Sequence, residues 1–275
     1  MTKVKIALCQ MNVIDDKEEN LRKASLMIAQ GIKENVDFVV LPEMFNCPYS
    51  NDKFIEYAEV EKDSETLLKI SNLACKNNVY ILAGSIPEKE DDKLYNTSYL
   101  FDKDGNIISK HRKMHLFDID VKGKITFKES DVLTAGDNFT IANTEFGKIG
   151  IGICYDIRFP ELARIMAQKG ALILFYPGAF NMTTGPAHWE LLFKSRALDN
   201  QVYCVGVAPA LNEDASYHSF GHSIITSPWG EIIAEASEKE TLIISEIDLD
   251  EIKKIREELP LLKNKREDLY EIIEK

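Results

Sequence analysis

Along this chain, short runs of β-branched and aromatic residues alternate with longer stretches in which apolar residues recur every three or four positions. Val4-Lys5-Ile6-Ala7-Leu8-Cys9-Gln10 reads as a first strand. Glu18 to Asn35 follows with Leu21, Ala24, Met27, Ile28 and Ile32 near helical spacing. Asp37-Phe38-Val39-Val40-Leu41 is a continuous apolar run, as expected of a strand covered on both faces. It stops at Pro42, which has no N–H to give to a ladder. A second helix is expected from Ser64-Glu65, with apolar Leu67, Leu68, Ile70, Leu73 and Ala74, and with Cys75 packed near its end. Val79 to Gly84 reads as a third strand. Tyr95 to Phe101 and Ile107 to Lys110 read as a hairpin about Lys103-Asp104-Gly105-Asn106.

Beyond residue 115 the pattern changes. Leu116 to Asp137 shows little periodicity, and loops of that length are functional or disordered. Its Phe117, Ile119, Ile125 and Phe127 favour an ordered, functional one. Thr140 to Asn143 and Lys148 to Ile153 form a further hairpin. A helix over Glu161 to Gln168 is closed by Gly170. Ala171 to Tyr176 is a strand, and Pro186 to Asn200 a helix with proline at its start. Strands are expected over Val202 to Ala208, Ser219 to Ile225, Glu231 to Ala236 and Thr241 to Ile247, then a helix capped by Asp248 and running through Glu258. In the charged tail, Lys263 to Lys275, Leu269 and Tyr270 are candidate packing points. About a dozen strands alternating with four or five helices, without repeat or linker, predict one α/β domain over residues 1–275 built on two sheets.

Composition narrows the class of function. The formal net charge of -12 and a pI near 5.0 argue against nucleic acid or an anionic membrane as partner. There is no uninterrupted apolar run of about 18 residues, and the N-terminus enters a strand pattern without a signal peptide's apolar core. Five widely spaced cysteines, an odd number, make no disulfide framework and suit a reducing cytoplasm. The five histidines have no metal-ligand spacing, and no glycine-rich phosphate loop is present, so no metal and no cofactor are expected.

The chemistry concentrates where strands end. Gly150-Ile151-Gly152-Ile153-Cys154 runs up a strand to a cysteine, and Pro160-Glu161 then opens a helix. Gly150 and Gly152 permit close backbone approach or a bulge. A thiol at the carboxyl end of a strand lies where open α/β sheets bind ligands, although an isolated cysteine is more often plain packing. Glu43 and Lys113 follow strands in the same way. A carboxylate beside the thiol can take its proton as it attacks, and partial burial would bring that carboxylate toward neutral pH. An ammonium, with the backbone N–H of Tyr155, can hold the oxyanion.

These residues resemble the nitrilase superfamily of carbon–nitrogen hydrolases. The resemblance rests on Leu41-Pro42-Glu43, His111-Arg112-Lys113 and Gly152-Ile153-Cys154-Tyr155-Asp156-Ile157-Arg158-Phe159-Pro160-Glu161, in that order, and spans essentially the whole chain. It implies an αββα sandwich that pairs as αββα–αββα, with the tail from about residue 259 at the dimer. It also implies Cys154 as nucleophile, Glu43 as base and Lys113 as oxyanion stabiliser and acid. Glu129, otherwise a plain loop glutamate, matches the family's second glutamate, which orients the lysine or the hydrolytic water.

Met44-Phe45-Asn46-Cys47-Pro48-Tyr49, His115-Leu116-Phe117-Asp118-Ile119-Asp120, Tyr176-Pro177-Gly178-Ala179-Phe180-Asn181 and Thr183-Thr184-Gly185-Pro186-Ala187-His188-Trp189-Glu190 look like the omega-amidase branch. That branch hydrolyses the terminal amide of 2-oxoglutaramate and 2-oxosuccinamate. Cys47 departs from the pattern, which has a small serine-like residue there. Arg158 has two readings, a guanidinium for the substrate carboxylate or a structural ion pair with Asp156 or Glu161. Tyr49 and Phe180 are candidate pocket walls. The rival readings are a nitrilase, an N-carbamoyl amino-acid hydrolase, an amidase for deaminated glutathione, and a dimeric interaction protein without chemistry.

Overall fold

Two sheets lie face to face, each with its outer face covered by helices. A computed structural model describes residues 2–274. The first sheet takes strands β1 (Lys3–Gln10), β2 (Phe38–Val40), β3 (Tyr80–Leu82), β4 (Ile86–Glu90), β5 (Lys93–Phe101) and β6 (Ile107–Arg112). A small hairpin, β7 (Asp118–Val121) and β8 (Ile125–Lys128), stands apart. The second sheet takes β9 (Thr140–Thr144), β10 (Gly147–Ile151), β11 (Ala171–Pro177), β12 (Tyr203–Val207), β13 (Ile224–Thr226) and β14 (Ile232–Glu235). The chain then returns, and β15 (Thr241–Asp248) pairs antiparallel with β1 along its whole length. The order is β15-β1-β2-β3-β5-β4, with β6 also on β5, and β14-β13-β12-β11-β10-β9.

Period-two alternation decides which side chain enters which layer. On β1, Ile6 and Leu8 face the second sheet and pack with Phe38, Ile151, Phe175 and Val205. Ala7 and Cys9 face outward onto helices α1 (Lys17–Lys33) and α3 (Glu65–Asn77), where Leu21, Ala24, Leu67 and Ile70 meet them. Helices α4 (Pro160–Gln168) and α5 (Gly185–Asn200) cover the second sheet through Leu162, Met166, Trp189 and Phe193. The two outer layers and two sheets make the expected αββα sandwich. Gly150 and Gly152 are required by this packing. A Cβ on Gly150 would lie 2.6 Å from Leu174 and 2.7 Å from Met166, and one on Gly152 would lie 2.5 Å from the Tyr176 ring.

Parallel strands β1, β2 and β3, and likewise β10, β11 and β12, send their carboxyl ends to one edge of the molecule. There Glu43 follows β2 and Cys154 follows β10.

Several expectations are corrected. Leu116 to Asp137 is not without strands, because Ile119 and Val121 alternate opposite Ile125 and Phe127 in β7 and β8. Helix α2 (Asn51–Glu56) and edge strand β4 are additional; Pro87 sits in β4, where an edge tolerates a missing donor. Cys75 is exposed, since the buried stripe of α3 runs through Leu67, Ile70 and Ala74 and leaves its neighbour outside. Ser219 to Ile225 contributes only a single bridge, Ser219 to Asn181, before β13 begins at Ile224. Asp248 ends β15 and Leu249 takes the N-cap position of the last helix, α6 (Asp250–Glu258), while the Asp248 carboxylate still accepts from the Asp250 N–H at 3.0 Å.

Candidate active site

Glu43, Lys113 and Glu129 meet in a buried site, each with no exposed surface. Lys113 follows β6, and its Nζ donates to Glu43 Oε1 and to Glu129 Oε1, both at 2.9 Å. Each carboxylate is fixed from several sides. Asn96 donates to Glu43 Oε1 at 2.8 Å, and the Ala179 N–H donates to Glu43 Oε2 at 2.8 Å. The Phe117 N–H and the Tyr49 hydroxyl, each at 2.6 Å, hold the two oxygens of Glu129. Tyr49 thus belongs to the carboxylate cluster as well as to a cavity wall.

Cys154 sits in a tight turn. The chain leaves β10 at Ile151 and enters a 3-10 helix over Cys154–Arg158. Cys154 has a φ of 47°, a left-handed conformation that L-residues hold only under constraint. Asp156 supplies that constraint by accepting from the Ile153 N–H at 2.9 Å. Gly178 adds room, since a Cβ there would lie 3.2 Å from the Cys154 Cα. The thiol lies beside Glu43, close enough for that carboxylate's charge to act on it.

Charge distribution follows from burial. Burial pushes the Glu43 carboxyl up, aided by the Glu129 charge and opposed by Lys113. Burial pulls Lys113 down, but the Glu129 and Glu43 charges override it and hold the ammonium well above its ordinary range. Burial and the Glu43 charge together push the Cys154 thiol up. The resting site therefore holds an ammonium and an un-ionised thiol, a nucleophile that depends on a base.

On the far side of Cys154, Phe117, Tyr155, Arg158, Phe180 and Thr184 line a narrow pocket. The Arg158 guanidinium lies 4.6 Å from the Phe180 ring centre and 5.5 Å from that of Tyr155. Its Nη1 is 3.2 Å from His188 Nδ1, and its buried Nε has no partner among the described residues. Neither Asp156 nor Glu161 pairs with it among the described residues, and both Asp156 oxygens already serve His111, His115 and Ile153. Asn96 and Tyr217 are site residues that sequence reasoning missed, and Asp156, read there only as a possible partner of Arg158, instead holds the Cys154 turn. The polar run Asn96-Thr97-Ser98 inside a strand was the available signal for the first.

The carbon–nitrogen hydrolase family model matches residues 5–257. The omega-amidase NIT2 of Xenopus tropicalis is 50% identical over 275 residues, covering 100% of this chain and 99% of that protein. Human omega-amidase NIT2 is 47% identical over 272 residues, covering 99% and 98%. The crystal structure of Saccharomyces cerevisiae Nit3, a member of branch 10 of the nitrilase superfamily, superposes with a TM-score of 0.89 at 45% identity, over 96% of this chain and 97% of that one. With its αββα layers and the buried Glu43–Lys113–Glu129 cluster beside Cys154, this chain belongs to the carbon–nitrogen hydrolase family.

Proposed function

We propose that the protein is an omega-amidase, hydrolysing the terminal amide of small dicarboxylate monoamides such as 2-oxoglutaramate and 2-oxosuccinamate. The observation that carries the chemistry is Lys113 spanning Glu43 and Glu129 in a buried cluster beside the Cys154 thiol. Full-length similarity to relatives named omega-amidase supports the choice of substrate.

Glu43 takes the thiol proton as Cys154 Sγ attacks the amide carbon. The oxyanion that forms is held by the Lys113 ammonium and the Tyr155 N–H. The amide nitrogen receives the proton and leaves as ammonia, with the acyl group on Cys154 as a thioester. Water activated by Glu43 then releases the dicarboxylate. Glu129 keeps Lys113 charged and aimed. Arg158, with its unpartnered Nε beside Phe180, receives the substrate carboxylate, a planar match for a guanidinium.

We place the working form as a homodimer in the cytoplasm. All five cysteines are free, which suits a reducing compartment, and among the described residues no helix is long and apolar enough to cross a membrane. Leu191 and Leu198 of α5 and Trp229 are exposed together, as are Leu269, Tyr270 and Ile273 of the tail. Those apolar groups suit a subunit contact, and sedimentation at micromolar concentration tests it.

The activity test is ammonia release from 2-oxoglutaramate beside a simple nitrile, an N-carbamoyl amino acid and deaminated glutathione, with Cys154→Ala as blank. Release from the keto-acid amide alone is expected. Release from another member of the panel keeps the catalytic reading and replaces the substrate; activity in Cys154→Ala overturns the mechanism.

A further inference from the structure

Glu43 faces a second cavity on the side away from Arg158. It encloses about 40 Å³ and is lined by Glu43, Met44, Cys47, Tyr49, Tyr217 and Ser219, among others. That space accommodates about two or three water molecules and no five-carbon acyl chain. Ser219 is 5% exposed, and its Oγ has no hydrogen-bond partner among the described residues. A buried hydroxyl of this kind needs a partner, and a small polar molecule in the cavity supplies one.

The cavity adjoins an open cleft on one flank and the Cys154 pocket on the other. Val13, Pro48, Asn212 and Ala215 form walls of both this cavity and an open cleft of about 460 Å³. The cleft carries Asp15, Asp52 and Asp214 against Lys53, which is already paired with Asp15 at 2.8 Å. Its surplus of negative charge disfavours an anionic substrate and is indifferent to water. Tyr217 and Ala179 line this cavity on one side and the Cys154–Arg158 pocket on the other. The Tyr217 hydroxyl donates to the Ala179 carbonyl at 2.5 Å, and its ring lies 4.5 Å from that of Tyr49, so the partition is anchored at both ends.

We infer that this cavity is the site of the hydrolytic water, filled from the Asp15 cleft and walled off by Tyr217 from the acyl chain. The inference rests on the thioester reading above. The acyl group lies toward Arg158, and water arrives at Glu43 from the opposite flank. Glu43 takes one water proton as the oxygen bonds to the thioester carbon. The C–S bond then breaks, and that proton passes to the departing Cys154 sulfur, leaving free acid and thiol. Substrate and water reach the reacting carbon by separate routes, so the acyl-enzyme need not open to solvent for its own hydrolysis.

The test blocks the passage without touching the catalytic cluster. During turnover of 2-oxoglutaramate, the full-length protein is acid-quenched and weighed to read the fraction carrying an acyl group on Cys154. In Ala215→Leu that fraction is expected to rise several-fold over wild type, with steady-state ammonia release falling about tenfold. Ser219→Ala, which removes the unpartnered hydroxyl and keeps the volume, is expected to raise it less. It also stands alone should Ala215→Leu fail to fold by circular dichroism. The fraction of hydroxamate formed in added hydroxylamine, a nucleophile larger than water, is expected to drop in Ala215→Leu. Unchanged acyl-enzyme occupancy and unchanged hydroxamate partition in the folded variants overturn the water route while leaving the thioester intact. Ammonia release with no acyl mass on Cys154 in any protein, hydroxylamine giving no hydroxamate, overturns the thioester reading itself.

Discussion

His111 Nε2 lies 3.0 Å from Asp156 Oδ2, joining the strand that carries Lys113 to the turn that carries Cys154. The other oxygen of the same carboxylate accepts from the His115 N–H at 3.0 Å and from His115 Nδ1 at 2.7 Å. The residues two before and two after Lys113 are therefore fastened to one buried acid. Despite its burial, that acid is held well below the ordinary carboxylate range by hydrogen bonds from the two histidines and Ile153.

Asp156→Asn keeps the shape but replaces one acceptor oxygen with a donor facing other donors. We expect a loss of about 2–4 kcal/mol in stability and a kcat lower by roughly 10²-fold with KM little changed. Denaturant unfolding and steady-state kinetics check both. Because the folded pKa is depressed, the stabilisation is present above about pH 4 and is lost as pH falls below it. The difference between wild type and variant should shrink in acid.

Lys113→Met leaves Glu43 and Glu129 sharing a buried site with no cation. We expect kcat to fall by about 10³-fold or more and stability near pH 8 to fall by about 3–5 kcal/mol. Part of that stability returns as pH drops and one carboxyl takes a proton. Unfolding midpoints measured across pH would show the recovery, and a pH-independent deficit would contradict the charge explanation.

The proposed reaction needs Glu43 ionised, and its pKa is raised by burial and by Glu129. The acid limb of kcat/KM should therefore lie above the ordinary glutamate value of about 4.3. Glu129→Gln removes one source of the shift and should move that limb downward, even though kcat itself falls. A limb that stays in place in this variant would separate it from Glu43.

Native protein treated with a disulfide reagent should show one fast thiol, Cys75, the exposed cysteine. Cys9, Cys47, Cys154 and Cys204 are buried, and each thiol is pushed above its ordinary pKa by that burial. Cys75→Ser should abolish the fast phase, and unfolding should release the other four.

The placement of Glu43, Lys113 and Cys154 at strand ends was legible, with Pro42 stopping the ladder before Glu43 and Gly150 and Gly152 interrupting the run before Cys154. The paired layers were legible from the alternation of Ile6 and Leu8 with Ala7 and Cys9. The hairpin of β7 and β8 was not, since four-residue strands half exposed on both sides carry a weak signal. Tyr217 was invisible for another reason. It sits in an irregular loop, and its place against Tyr49 and Ala179 depends on chain segments 168 and 38 residues away.

The hydrogen bond from the Ala179 N–H to Glu43 crosses from one sheet to the other. Glu43 is contributed by the first third of the chain, Cys154 and Ala179 by the middle, and β15 closes the first sheet only after the last third has been made. During synthesis or refolding, then, half a sandwich holds the Cys154 thiol without Glu43, or Glu43 without the Ala179 N–H. Turnover is a report of completed assembly, and recovered activity should never precede the docking of the two sheets.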